Sequence, residues 1–80
     1  ARPKAVAVGP RGSILVTDAQ RGLVLVYTRQ GAFDFAFGEP GKEPGQLDLP
    51  SGLVADGDRV FVASSLNHRI EAYQLLGDAP

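Results

Sequence analysis

The 80-residue chain has no cysteine, no methionine and no tryptophan, and it carries one histidine. Without cysteine there is no disulfide framework and no thiolate metal site, and the redox compartment is left open. A single histidine with no second His or Cys makes a poor zinc site. Neither sign of charge is in excess: eight Lys and Arg face nine Asp and Glu, for a net charge of −1. That balance argues against a nucleic-acid or anionic-membrane partner recruited by bulk charge, since there is no basic excess to release counterions. No apolar run approaches the ~20 residues a spanning helix needs, so no membrane partner is expected. No signal-peptide pattern is present. No apolar pattern of helical period runs for any length, which excludes a helical architecture.

What the chain does have is enough apolar mass to fold. Leu, Ile, Val and Phe supply 23 of its residues, above the ~20% below which disorder is expected. At this length it forms one small domain at most, able to bury roughly 60% of its unfolded surface. The apolar residues come in short runs closed by turn clusters. Lys4 to Val8 ends at Gly9-Pro10-Arg11-Gly12, Ile14-Leu15-Val16 ends at Asp18 to Gly22, and Leu23 to Tyr27 ends at Arg29-Gln30-Gly31. Phe33, Phe35 and Phe37 then alternate with Asp34 and Ala36, the period-2 signature of a half-buried strand. After a segment rich in glycine and proline, Gly38 to Leu49, the pattern restarts with Gly52 to Ala55, Arg59 to Ala63 and Arg69 to Gln74. Gly and Pro forbid helix in the linker and predict a structured crossover. Asp56-Gly57 supplies the positive φ of a tight hairpin.

The second set of runs repeats the first. Pro3 to Val8 aligns with Pro50 to Ala55 at an offset of 47 residues. Ile14-Leu15-Val16 aligns with Val60-Phe61-Val62, and Val24 to Tyr27 with Ile70 to Tyr73, at an offset of 46. Gly31 aligns with Gly77 at the same offset. The residue lost between the two offsets falls in a turn, where Gly9 to Gly12 faces the shorter Asp56-Gly57-Asp58. A fixed period of this size is the signature of solenoids and propellers, whose four-stranded blades take roughly 40–45 residues.

No catalytic constellation emerges. His68 could serve as a ligand or acid/base group, but it has no partner in the sequence; Asn67 and His68 read better as residues that shape a hairpin and bond nearby backbone. Asp18 follows a strand and aligns with Ser64, and both suit acceptance of a turn N–H. Asp56 and Asp58 lack the EF-hand spacing and the 6–8 oxygen ligands that calcium takes. Gly9 to Ser13 lacks the lysine of a phosphate loop and leads into a strand. Phe33, Phe35 and Phe37 could stack bases, but at period 2 all three rings fall on one face, where packing against a neighbouring sheet is expected.

The residues resemble a known family. Phe37-Gly38, Gly45-Gln46-Leu47, Pro50-Ser51-Gly52, Val60-Phe61-Val62-Ala63 and Asn67-His68-Arg69-Ile70, in that order and spacing, are similar to the NHL-repeat β-propellers. The first repeat departs from the pattern, with Gln20-Arg21-Gly22-Leu23 in place of Leu66-Asn67-His68-Arg69. The resemblance implies two consecutive antiparallel blades, the first over 3–37, a linker over 38–49 and the second over about 50–76, the second lacking its own fourth strand. It further implies six blades in a closed ring and a scaffold that binds proteins or RNA, with a lyase or hydrolase site in some relatives.

Together these readings predict an all-β, non-catalytic interaction scaffold with no cofactor and no metal. Its rivals are a fragment of a propeller lyase or hydrolase whose metal ligands lie in blades outside this chain, and an RNA-binding propeller, which would need a basic face. In an up-and-down meander the second hairpin of each repeat and the linker share one end of the sheets. That end collects Arg21, Lys42, Gln46, Asn67, His68 and Arg69, with Glu39 and Glu43, as the candidate binding face. Mixed charge there suits a protein or polar ligand better than a phosphate backbone. Strands apolar on both faces, in only two blades, predict self-association, with three chains closing a six-bladed ring.

Overall fold

The computed structural model describes residues 2–75. Its backbone is all-β: seven strands in two antiparallel sheets, with single 3-10 turns at Pro10–Gly12 and Ser65–Asn67. The first sheet runs in the order β1 (Pro3–Val8), β2 (Ile14–Asp18), β3 (Leu23–Tyr27) and β4 (Phe33–Phe37). The second runs β5 (Pro50–Asp56), β6 (Arg59–Ser64) and β7 (Arg69–Gln74). Each segment read as a strand from its apolar pattern is one. The alignment of Gly31 with Gly77, and the last residue of the second repeat, fall partly outside the described residues.

The repeat is visible in the hydrogen-bond register. Pro3 pairs with Asp18 and Val6 with Val16 across a shifted register; Pro50 pairs with Ser64 and Leu53 with Val62 across the same shift. In both copies proline opens an edge strand, the position where its missing N–H costs no ladder bond. The irregularity leaves the Ala5 N–H without a strand partner, and Thr17 Oγ1 accepts it at 3.0 Å. The same hydroxyl donates to the Ser51 carbonyl at 2.8 Å, tying the first sheet to the second. In the β5–β6 hairpin Gly57 has φ +60 at the first of two loop positions, as a tight turn requires.

The two sheets pack face to face over one apolar layer. Leu15, Val24 and Val26 come from the first sheet and Val60 and Val62 from the second, all at 2% exposure or less. Leu47 of the linker is fully buried among them. Phe37 and Tyr73 close one edge of the layer, their rings 4.8 Å apart. Burying a side chain of this size contributes about 1.5–3 kcal/mol, so the few that reach full burial matter greatly in so small a domain.

One expectation is corrected. Phe33, Phe35 and Phe37 do not lie on one face. A register shift on β4 sets Phe35 opposite Val26 but Phe33 opposite Tyr27, and Val26 and Tyr27 point to opposite faces of β3. Phe33 therefore packs edge-on against Tyr27 at 5.8 Å on the outer face and is 59% exposed. Phe35 stays on the inner face yet is 42% exposed, because the opposing sheet has three strands among the described residues and none reaches it. Only Phe37 packs between the sheets.

Candidate functional site

The end of the molecule formed by the linker and the second hairpins gathers the polar groups singled out in the sequence. The linker is a compact crossover, with Pro40 and Leu47 in a parallel bridge and the Leu47 N–H donating to the Glu39 carbonyl at 2.8 Å. Gln46 braces it internally: Nε2 donates to Glu39 Oε1 at 2.8 Å, and Oε1 accepts the Glu43 N–H at 3.0 Å. Lys42 Nζ pairs with Asp48 Oδ2 at 2.7 Å. That pair is largely exposed, so its contribution to stability is small.

The second sheet then holds the linker down. Asn67 Nδ2 donates to the Gly41 carbonyl and to Ser64 Oγ, both at 3.0 Å. Arg69 Nη2 donates to the carbonyls of Lys42 at 3.0 Å and Glu43 at 2.9 Å, while its Nε donates to Glu71 Oε2 at 2.7 Å. The other oxygen of Glu71 accepts the Gly45 N–H at 3.1 Å, and the Tyr73 hydroxyl donates to the Gly45 carbonyl at 2.8 Å. Burial, together with the charges of Glu71 and Glu39, pushes the Tyr73 hydroxyl above its ordinary pKa. Asn67, Arg69 and Gln46 are thus directed inward, onto the crossover. Arg21 and Lys42, whose side chains are 62% and 74% exposed, stay open to solvent at this end, as does His68.

His68 and Gly22 occupy equivalent positions and explain the departure of the first repeat. Both sit in the left-handed region, at φ +54 and +68, where the chain turns into the third strand. His68 is exposed. A Cβ on Gly22 would lie 2.8 Å from Pro40 Cα, so only glycine passes beneath the linker.

Asp18 and Ser64 form a second pair of equivalents, each a clasp at the end of a strand. Asp18 is 1% exposed, and its Oδ1 accepts the N–H groups of Arg2, Gln20 and Arg21, each at 3.1 Å. Burial raises the carboxyl pKa, but these backbone donors outweigh it and hold the group below the ordinary carboxylate value. Arg21 Nε lies 3.8 Å from Oδ2. Ser64 is fully buried and its Oγ accepts the Asp48 N–H at 3.0 Å. In each repeat the clasp fastens the segment that leads into the first strand.

Two features of this end were missed by the sequence reading. Leu49 is 43% exposed with φ +54, and Leu66 is 56% exposed. Leu49 lines a shallow cleft of about 210 Å³ with Arg2, Ala19 and Gln20. The signal available was a leucine immediately before Pro50 and another in the second hairpin, each outside any alternating run. Among the described residues no three His, Asp or Glu side chains come together.

No protein-family model matches the chain. Protein brain tumor of Drosophila melanogaster is 32% identical to it over 78 residues, which is 94% of this chain and 8% of the fly protein. The chain thus spans less than a tenth of the length of that curated relative. The similarity gives partial support to an NHL-type repeat.

Proposed function

We propose that the chain is a two-blade unit of an NHL-type β-propeller and serves as a non-catalytic interaction scaffold. The observation that carries this reading is the repeat itself: two meanders with matching registers and matching irregularities at Pro3 and Pro50, packed face to face through one apolar layer. Units of that kind bury their faces by stacking on further units. Here the unit completes itself by association with its own kind. Three two-blade chains close the six-bladed ring that the resemblance implies.

The scaffold presents the linker end to its partner. The cleft beside Leu49 and the exposed Leu66 supply apolar contact, and the exposed Arg2, Arg21, Glu39 and Glu43 supply charge of both signs, which suits a protein segment with an apolar anchor and polar flanks. The inward network of Asn67, Arg69 and Gln46 keeps that end rigid, as loops that bind on a stable framework must be.

Light scattering of the purified chain at low micromolar concentration tests the reading. The expected particle has three times the 8.4 kDa chain mass. A folded, cooperative monomer refutes the self-completing unit, and four chains per particle would set the ring at eight blades.

A further inference from the structure

Each sheet keeps one face against the other sheet and leaves one face uncovered. On the first sheet the uncovered face carries Val6, Val8, Ile14, Val16, Tyr27 and Phe33, with Val6 at 68% and Val8 at 72% exposure. On the second it carries Val54, Phe61, Ile70 and Ala72, with Val54 at 58% and Ile70 at 65% exposure. Both are apolar far beyond what a solvated face of an antiparallel sheet normally shows.

The repeat offsets say what these faces are. Ile14 and Val16 of the first open face are the equivalents of Val60 and Val62, which are fully buried against the first sheet. Phe61 and Ile70 of the second open face are the equivalents of Leu15 and Val24, which are fully buried against the second sheet. The two open faces are therefore the two halves of the interface that already exists inside the chain, presented separately on opposite sides of the molecule.

We infer that the occupant of each open face is a second copy of this chain, docked head to tail: the Phe61/Ile70 face of one copy lies on the Ile14/Val16 face of the next, in the register of the internal interface. This rests on the proposed self-completing unit and names its contact surfaces. The interface is heterologous, since the two surfaces are different, and it propagates until the ring closes. At its inner edge Val54, the equivalent of Ala7, packs beside Val6 and Val8, the equivalents of Leu53 and Ala55, as β1 packs beside β5 within the chain. The match is apolar except at Arg59, whose guanidinium lies 5.1 Å over the Phe61 ring, and one polar tie is missing: Thr17, which bonds the Ser51 carbonyl inside the chain, is replaced by Ala63 on the open face. The contact between copies is thus the weaker of the two, and dilution separates chains before it unfolds them.

Two variants test the inference. Val8→Glu places a charge on the first open face and Ile70→Glu on the second. Both residues are more than 60% exposed in the single chain, so neither change touches its own core. The wild-type chain is expected to assemble, while each variant alone runs as a β-rich monomer by light scattering and circular dichroism. An equimolar mixture of the two is expected to give a particle of twice the chain mass that grows no further. In the mixture one intact open face of each kind remains, and these two meet once. If the wild type assembles but the mixture stays monomeric, or if either variant alone assembles like the wild type, the head-to-tail pairing is overturned while self-association stands. A monomeric wild type overturns both. Should either variant lose its β spectrum, Val6→Lys and Val54→Lys replace the pair with the same outcomes.

Discussion

Asp18→Ala removes the acceptor shared by three backbone donors, and its cost can be worked from the structure. The Arg2, Gln20 and Arg21 N–H groups each lie 3.1 Å from Oδ1 of a side chain that is 1% exposed. A hydrogen bond to a charged group contributes about 1.5–3 kcal/mol net. The three do not add in full, because Arg2, Gln20 and Arg21 are at the surface and water reaches part of what alanine vacates. A loss of about 2–4 kcal/mol is expected, a large part of the ~5 kcal/mol that a small domain has to lose, or a fall in Tm on the order of 10–20 °C. Asp18→Asn keeps an oxygen acceptor without the charge and should cost about 1 kcal/mol. The pH dependence separates charge from shape. Because the native carboxyl sits below its ordinary pKa, its stabilisation is complete above the unfolded value near ~3.9 and is lost as pH falls through the lower native value. Urea unfolding followed by circular dichroism at one fixed protein concentration, at pH 7 and then stepwise below pH 4, measures all three proteins. The gap between wild type and Asp18→Asn should narrow as the solution is acidified. A gap that stays constant, or an Asp18→Ala cost below about 0.5 kcal/mol, would refute the reasoning.

Leu47→Ala should destabilise the fold by about 2–5 kcal/mol in the same urea assay, since the side chain is fully buried and leaves a cavity in the core layer; a near-neutral result would mean the linker does not share that core. Gly22→Ala should cost more than about 1 kcal/mol, because its φ of +68 and a Cβ only 2.8 Å from Pro40 Cα both oppose it, while His68→Gly at the equivalent position should change stability by no more than about 0.5 kcal/mol. Arg69→Ala should free the crossover from its two carbonyl contacts and speed tryptic cleavage after Lys42 several-fold; an unchanged cleavage rate would show that other contacts hold the linker.

Much of this molecule is decided by local pattern. Short β-branched runs such as Ile14-Leu15-Val16 and Val60-Phe61-Val62 can satisfy their backbone only as paired strands, and the Asp56-Gly57 turn sets the register of its hairpin locally. The repeat is legible for the same reason, since equal runs at equal spacing build equal sheets. The candidate end of the molecule was also legible as a location, because strand count alone assigns which connections share an end. What each group does there was decided by tertiary structure. Asn67, Arg69 and Gln46 look like surface polar residues in sequence, yet they bond a crossover whose path depends on contacts between residues about 26 positions apart. Leu47 sits in a segment with no apolar period, and only the packing of the crossover against both sheets makes it core. Phe33 has the alternation of a core residue, and a single register shift on β4 turns it to the opposite face. Period and composition are properties of neighbours along the chain and can be read there. Which faces meet, and which polar atoms lack a partner until the chain returns to them, depends on distances that exist only once the sheets have packed.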